Sequence, residues 1–472
     1  MMRSLNADIL KLAVPSILAN ITVPLVGMVD IAVAGNLGAE AATMIGGIAV
    51  GSMLFDLLYW NFGFLRVGTG GLTAQSFGRG DMRESARIFI RAVGISLACA
   101  LVLIAVQWLF VKGAFLVVDC SPQVRELASR YFFIRIWAAP ATLSLMAFKG
   151  WFIGMQDSVS PMATDIVVNG MNIAASIVLA LGIPFLGWKG LGFSGIAAGT
   201  VIAQYTGLLA ASLIMLVKYR RKVFAGLDSG EIRHIFAGGQ TRRFFVMNVD
   251  LFVRSLCFIA IYIGFTTISA GYGDLLLATG SIMMKLLMIF SYFTDGFAYA
   301  AEALTGRYIG AGDGRMLRRT VLWTFVWSMG LAALFMAIYQ FGGEWMLRVM
   351  TSDESVVMMA ADYLPWLLLM PLAGCAAFTW DGIYIGATAS RKMRDSMLWA
   401  TVAFFAVYFA GLLVLDSGHF ATVQPVASDS PEPAPVRHDI IAMHILMAAY
   451  FAHLLARTLH LTLNYRRSIL VI

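Results

Sequence analysis

The chain has 472 residues, of which 60% are hydrophobic and only 13% are charged, and its mean hydropathy is +0.79. An ordinary soluble protein carries about 25% charged residues. Apolar runs recur along the whole chain at the length needed to cross a hydrocarbon core of about 30 Å, and none shows the period-two alternation of a barrel strand. The composition therefore excludes a soluble enzyme and an outer-membrane barrel, and it indicates a helical integral membrane protein.

The start of the chain predicts a first helix that is retained. Residues 1–11 run directly into the first apolar segment without a small-residue cleavage site, which favours a cytoplasmic start over a cleaved signal. Three of the four cysteines lie inside apolar runs and Cys120 has no loop partner, so neither a disulfide framework nor a metal cluster is expected. The net charge of +7 is explained by basic cytoplasmic loops, and nucleic acid is not an expected partner.

Hydropathy predicts twelve membrane-spanning helices. Seven of the 34 Lys and Arg residues lie within them and six at the ends that follow odd-numbered helices, which leaves 21 on the opposite side. This excess predicts that the side with both chain termini is cytoplasmic. The predicted segments are 12–35, 45–74, 88–111, 131–155, 163–183, 195–217, 244–268, 275–300, 320–341, 363–386, 397–415 and 440–464.

The two halves of the chain match each other at a constant offset of 232 residues. One offset that serves two separate motifs indicates an internal duplication, and an even number of helices in each copy gives both copies the same orientation in the membrane. The first motif, Leu72, Thr73, Gly78, Gly80, Asp81 and Arg83, recurs as Leu304, Thr305, Gly310, Gly312, Asp313 and Arg315, and the second, Gly150, Ile153 and Gly154, recurs as Gly382, Ile385 and Gly386.

The duplication predicts an all-α integral membrane protein of two pseudo-symmetric six-helix bundles, residues 1–217 and 244–472. The basic segment 218–243 is the predicted cytoplasmic linker between them. A polar stretch at 416–439 holds four of the twelve prolines and is predicted to be an external loop, to which no function is assigned.

Asp30 lies deep in the first predicted helix, which Pro15 and Pro24 interrupt by removing backbone hydrogen bonds. A charged side chain at the bilayer centre costs about 2.5–3.5 kcal/mol, so a carboxylate there readily takes up a proton. Proton exchange would change the packing of the bent helix, which predicts a coupling site at Asp30. The alternative is a carboxylate fixed permanently by Arg66 or Lys149.

A polar stripe follows one face of the fifth predicted helix. Asp165, Asn169, Asn172 and Ser176 stand at relative positions 0, 4, 7 and 11, so helical periodicity turns all four towards the bundle interior. Asp165 is expected near the cytoplasmic end, and Asn172 and Ser176 at the depth of Asp30. A cation site shared with Asp30 and plain hydrogen bonding between packed helices are both open interpretations.

The second bundle contributes intramembrane charges of both signs on its first, second and fourth predicted helices. One of them, Asp381, corresponds to Lys149 under the offset of 232, so equivalent places carry opposite charges. A substrate site and a static network of ion pairs both fit this set, whereas for Arg66 the role of a counter-ion is favoured. The set comprises Arg254, Lys285, Asp295, Glu302 and Asp381.

Five segments spread over nearly the whole chain form a combined pattern. They read LAVPSILANITVPLVGMVDIAVAGNLG in the first predicted helix, NFGFLRVGTGGLTAQSFG in the second, VRSLCF in the seventh, YFTDGFAYAAEALTGRYIGAGD in the eighth and DGIYIGA in the tenth. Together they resemble the multidrug and toxic compound extrusion (MATE) family, and within it the DinF-type branch.

The resemblance implies a two-lobed exporter that alternates between inward-open and outward-open forms, driven by entry of protons or sodium. Asp30 matches the aspartate that related transporters use for cation coupling, and Pro15 matches the proline at which that helix bends. Asn169 and Asn172 match the asparagines of the fifth helix. Ser176 stands where many relatives have a second aspartate, so proton coupling through Asp30 is the simpler inference. A sodium site of Asp30 with Asn and Ser oxygens is the alternative.

The sequence therefore predicts a proton-coupled antiporter, not an enzyme, that exports bulky amphipathic and often cationic compounds across the bacterial inner membrane. Protonation of Asp30 would remove the charge that holds a cationic substrate, so proton and substrate are expected to compete for one cavity. The expected partners are the small-molecule substrate and the lipid bilayer. The protein is expected to act as a monomer without a cofactor or a bound metal.

Three other functions are alternatives to antiport. A flippase for lipid-linked precursors, from the wider exporter superfamily, shares the duplicated plan but should present a basic central cavity, whereas the deep charges here are mixed in sign. An intramembrane enzyme is disfavoured because no nucleophile and base pattern appears. A channel is disfavoured because the chain has a twofold repeat and lacks a filter-like glycine motif.

Overall fold

The structure, a computed structural model, describes residues 2–37, 41–116, 118, 120–183, 187–224, 239–351, 353–415 and 437–470. Within these residues twelve helices are long and apolar enough to cross a membrane, which confirms the predicted number of spans. In chain order they are α1 (Ser4–Gly35), α2 (Thr43–Arg79), α3 (Met82–Ala114), α4 (Pro122–Gly154), α5 (Val159–Leu181), α6 (Phe193–Tyr219), α7 (Phe244–Ala270), α8 (Asp274–Gly310), α9 (Gly314–Met350), α10 (Leu364–Gly386), α11 (Ser390–Val414) and α12 (His438–Ser468).

Several helices extend well beyond the predicted apolar segments. α8 ends at Gly310, ten residues after its predicted end, and α4 begins at Pro122, nine residues before its predicted start. Hydropathy misses these ends because polar residues at the membrane surface remain helical once the helix has been nucleated. Single turns of 3-10 helix interrupt α2 at Asn61–Gly63 and α4 at Ile136–Ala138, and a short helix, Glu354–Asp362, precedes α10.

The turns that leave α2 and α8 are equivalent in geometry as well as in sequence. Gly80 and Gly312 both adopt a positive φ, of 73° and 69°, which glycine tolerates better than other residues. Asp81 and Asp313 follow them, and the carboxylate of each accepts a hydrogen bond of 2.9 Å from the backbone at the start of the next helix. The chain therefore forms two bundles, α1–α6 and α7–α12, and each has its own buried apolar core.

α1 is a continuous helix through Pro15 and Pro24, without the predicted interruption. Pro15 has no backbone N–H to donate to the carbonyl oxygen of Lys11. The hydroxyl of Ser158, in the turn between α4 and α5, donates to that oxygen at 2.9 Å instead. A hydrogen bond from outside the helix thus replaces the one that the proline removes.

The outer surface of the bundles is apolar. Large side chains such as Leu101, Val217 and Phe341 are exposed there, and Phe341 has 90% of its surface accessible. Contiguous exposed apolar surface of this kind is typical of a protein that lipid surrounds. Of the predicted linker 218–243 and the predicted loop 416–439, residues 225–238 and 416–436 lie outside the described part of the chain.

The two bundles pack closely where α2 and α8 end, on the side of both chain termini. Glycines permit this approach: a Cβ on Gly78 would lie 2.0 Å from the carbonyl oxygen of Arg307, and a Cβ on Gly310 would lie 2.1 Å from the carbonyl oxygen of Gln75. The side-chain amide of Gln75 also donates to the carbonyl oxygen of Gly386 on α10 at 3.0 Å. The bundles are therefore closed against each other on this side.

Candidate functional site

Asp30 lies on α1 inside the first bundle, with only 5% of its surface exposed. Its Oδ1 atom is buried and has no hydrogen-bond partner among the described residues. The hydroxyl of Ser176 on α5 faces the carboxylate, and Arg135 of α4 acts on it electrostatically without forming an ion pair within 4.0 Å. The structure thus places a carboxylate in a pocket without a fixed counter-ion in the described part of the chain.

The polar stripe of α5 is divided among its neighbouring helices. Asn172 donates to the hydroxyl of Thr200 on α6 at 3.1 Å, and Ser176 donates to Oδ1 of Asn172 at 3.4 Å. Asn169 instead donates to the hydroxyl of Thr22 on α1 at 2.5 Å. The structure therefore brings Ser176 to Asp30 and uses Asn169 to connect α5 with an earlier turn of α1.

The two cations considered as a lock on Asp30 are engaged elsewhere. Lys149 of α4 pairs with Asp165 of α5 at 2.7 Å, within the first bundle. Arg66 of α2 pairs with Glu302 of α8 at 3.0 Å, so this ion pair joins the two bundles. Permanent fixation of Asp30 by either cation is therefore contradicted by the geometry.

In the second bundle, one carboxylate forms ion pairs with two arginines. Asp381 of α10 accepts hydrogen bonds from Arg254 of α7 and from Arg457 of α12. Arg457, which the sequence analysis did not include in the network, is 2% exposed. Because two positive side chains share one negative partner, this cluster retains one positive charge in excess.

Asp295 and Lys285, both on α8, stand apart from these pairs. Asp295 lies in the field of Arg66, Lys149 and Arg457 but forms no ion pair within 4.0 Å in the described ranges. Lys285 is exposed, and it too has no ion pair in the part of the chain that the structure describes. The structure brings Asp295 to the charged region between the bundles and leaves Lys285 outside it.

Two charged residues of the first bundle were not predicted as part of the site. Asp56 is exposed in the middle of α2. Arg135 on α4 donates to the hydroxyl of Tyr131 at 3.0 Å, and its guanidinium lies 4.7 Å from the ring centre of Phe55. Arg135 acts electrostatically on both Asp30 and Asp56. The signal that the sequence offers for them is an acid inside the second predicted helix and an arginine inside the fourth.

A buried acid also lies outside the membrane-spanning helices, in the turn between α4 and α5. Asp157, 7% exposed, accepts hydrogen bonds from Nζ of Lys218 and the hydroxyl of Tyr219, both at 2.6 Å, and from the hydroxyl of Ser160 at 2.5 Å. Burial alone would raise the pKa of Asp157, but these hydrogen bonds outweigh it and hold the pKa below its ordinary value. Asp157 therefore connects the adjacent ends of α5 and α6 as an anion.

Twelve spans in two equivalent bundles, with charges inside each bundle and the ion pair Arg66–Glu302 between them, define a duplicated membrane transporter. The chain belongs to the MatE family, whose family model matches residues 15–178 and 251–410. The two matched stretches fall one in each bundle. The family predicted from the sequence is confirmed.

The similarity to individual proteins extends over most of the chain. DNA damage-inducible protein F of Escherichia coli (strain K12) is 34% identical over 395 residues, which are 83% of both sequences. Human multidrug and toxin extrusion protein 1 is 24% identical over 414 residues, 84% of this chain and 67% of that protein. A solved outward-facing conformation of a multidrug resistance MATE family transporter has the same fold, with a TM-score of 0.81 and 14% identity over 99% of this chain and 97% of that one.

Proposed function

We propose that the protein is a secondary active antiporter that exports amphipathic, often cationic compounds across the bacterial inner membrane in exchange for protons. Membership of the MatE family supports transport, and the multidrug and toxin names of its relatives support foreign compounds as the cargo. The excess of Lys and Arg on the side of both chain termini supports a cytoplasmic location for them. The protein acts as a monomer.

The observation that carries this proposal is the environment of Asp30. Its Oδ1 atom is buried and unpartnered among the described residues, while Lys149 and Arg66 are paired with other acids. A carboxylate removed from water and from a fixed counter-ion is poorly stabilised as an anion. Binding of a proton removes this penalty, so Asp30 exchanges protons as the site gains and loses access to water.

A proton fits this pocket better than sodium does. Hard cations such as sodium need several oxygen ligands, and Asp30 is the only acid that the predicted coupling set supplies beside Ser176 and Asn172. The uncharged side chains of the set already form hydrogen bonds, because Ser176 donates to Asn172 and Asn172 donates to Thr200. A sodium ion would have to break these hydrogen bonds, whereas a proton leaves them intact.

The position of the closed contact supports an outward-facing conformation. Gly78 and Gly310 bring the bundles together on the proposed cytoplasmic side, which corresponds to the outward-facing form. α1 reaches across to the second bundle, since the side-chain amide of Asn20 donates to the carbonyl oxygen of Tyr292 on α8 at 3.1 Å. Pro24 lies between Asn20 and Asp30, so a bend there would move the coupling carboxylate relative to this contact.

The charges between the bundles favour an exporter over a flippase for lipid-linked pyrophosphates. A pyrophosphate site requires surplus positive charge. Arg66, Lys149, Arg254 and Arg457 each pair with a carboxylate, and a fifth deep cation, Arg135, lies in the field of the acids Asp30 and Asp56. The excess charge that remains at Asp381 is a single one, and Asp295 lies within its field.

Transport into liposomes under an imposed gradient tests the proposal. Protein reconstituted with a cationic dye should transport the dye when a pH gradient drives it. A sodium gradient applied alone should not drive this transport. Asp30→Asn should abolish this movement while the protein still inserts and purifies as the wild type does. Undiminished proton-driven transport by that variant would rule out Asp30 as the coupling residue, and transport driven by sodium alone would rule out the proton.

A further inference from the structure

A row of side chains at helical spacing on α2 faces the second bundle. Ala49, Met53 and Asp56 are exposed, and Trp60 follows one turn later on the same face. The ring of Trp60 meets the ring of Tyr262 on α7 edge-on, with 5.3 Å between the ring centres. Because Trp60 contacts the second bundle, this face of α2 borders the space between the bundles, and Asp56 opens into that space.

Asp56 is an acid at mid-span without a counter-ion of its own. In the described ranges it forms no ion pair within 4.0 Å, and the cation that acts on it is Arg135 of α4. From the second bundle, Tyr262 on α7 and Tyr292 on α8 lie close enough to interact with it electrostatically. An ionisable residue at this depth is costly to insert and tends to mark a substrate or ion pathway.

The rings around Asp56 suit an organic cation. Trp60 lies 6.0 Å from the ring centre of Phe258 as well as against Tyr262, and Tyr292 adds a further ring from α8. Aromatic faces attract ammonium and phosphonium groups, and tryptophan does so most strongly. The apolar area of the same rings can pack against the lipophilic part of such a molecule.

We propose that Asp56, with the rings of Trp60, Tyr262 and Tyr292, binds the positively charged group of an amphipathic monovalent organic cation. The inference rests on the proposed function and assigns its substrate a place in the space between the bundles. This place is separate from Asp30, which lies inside the first bundle. Substrate and proton therefore occupy two sites, in contrast to the expectation of one shared cavity.

Arg135 connects the two sites electrostatically. The groups that face it are Asp30 on α1, Asp56 and Tyr59 on α2, and Tyr131 on its own helix. While Asp30 is ionised, its charge offsets part of the positive field of Arg135 at Asp56. Protonation of Asp30 removes this offset, so the bound cation is repelled more strongly and leaves.

Binding of tetraphenylphosphonium to the purified full-length protein, measured by titration calorimetry, tests the substrate site. Asp56→Asn should weaken binding roughly tenfold, the effect expected for loss of one charged contact in a partly desolvated site. Asp56→Glu should retain most of the affinity, and Trp60→Leu should weaken binding to a smaller extent. Glu344→Gln is the matched control, because Glu344 is an exposed acid of α9 that pairs with Arg348.

The outcomes separate this inference from the proposed function. Unchanged affinity in Asp56→Asn protein that elutes as a single species would overturn the substrate site, and the proposed function would stand if Asp30→Asn still abolished proton-driven transport. An equal loss of affinity in Glu344→Gln would also overturn it, since the effect would then be one of overall charge. Both proposals would fall if the wild-type protein neither bound nor transported any cationic probe.

Discussion

Gly70 on α2 and Glu302 on α8 occupy equivalent positions of the internal repeat and lie against each other at the interface between the bundles. A Cβ on Gly70 would be 1.8 Å from Oε1 of Glu302. Pseudo-symmetry brings the two equivalent positions together, and the space there holds one side chain. The second copy fills it with a fully buried carboxylate that binds Arg66 at 3.0 Å, and the first copy provides the room by having glycine.

Replacement of Gly70 by alanine should therefore damage the contact between the bundles. The carboxylate of Glu302 is fully buried and binds Arg66, so a shift to make room for the methyl group disturbs this ion pair, and a forced fit in a packed interior costs about 1–3 kcal/mol. We expect Gly70→Ala to lower the thermal stability of the purified protein and to slow proton-driven dye transport. Gly330→Ala is the control, because nothing lies within 4 Å of a Cβ at this α9 position. Equal behaviour of the two variants would show that the Gly70–Glu302 contact is not needed.

Asp381 should be more important for stability than an acid at the surface. Asp381→Asn would leave Arg254 and the almost fully buried Arg457 without a negative partner, and breaking a buried ion pair typically costs about 3–5 kcal/mol. We expect a large loss of thermal stability or a failure to insert. Removal of the exposed pair Glu344–Arg348 by Glu344→Gln should cost less than about 1 kcal/mol. Similar melting temperatures for the two variants would contradict this ranking.

The helices and the duplication could be predicted from the sequence because both depend on local or repeated patterns. Apolar length defines each span, and an offset of 232 residues is visible without coordinates. The partners of the charged residues could not be predicted in this way. Arg66 binds Glu302, 236 positions away, and this pairing depends on how two separate bundles pack. The sequence alone is equally compatible with an ion pair between Arg66 and Asp30.

The errors at individual residues have equally physical causes. The sequence does not single out Arg135, because it lies near the predicted start of its helix at residue 131, whereas α4 begins at Pro122. The sequence does not single out Asp56 as a site residue, because the apolar pattern of its helix is clear with or without it. Its exposure to the space between the bundles depends on how the chain folds. Opposite charge alone predicts Lys285 as a partner of the nearby acids, yet the residue is exposed on α8.

Asp157 should stabilise the protein in a pH-dependent way. Its hydrogen bonds hold its pKa below the ordinary value, so its contribution to stability is fully present above the unfolded pKa of about 3.9 and is lost as the pH falls through the lower, folded value. We expect Asp157→Asn to reduce stability at neutral pH by about 2 kcal/mol, because three donors lose a charged acceptor. The difference in melting temperature between wild type and variant should shrink below about pH 4. A difference that stays constant over the whole pH range would contradict this role.

Arg135 should set the pH dependence of cation binding if it acts on Asp30 and Asp56 together. In Arg135→Gln, the repulsion at Asp56 disappears, so tetraphenylphosphonium should bind more tightly, by roughly tenfold if the effective dielectric constant is about 20. In the wild type, affinity should fall from mildly alkaline to mildly acidic buffer as Asp30 takes up its proton. In the variant this dependence should move to higher pH, because Asp30 takes up its proton more readily once the positive charge of Arg135 no longer favours its anion. Arg130→Gln is the matched control on the same helix, since Arg130 is exposed and pairs with Glu126 at 3.1 Å. A pH dependence with the same midpoint in Arg135→Gln as in the wild type would contradict this role.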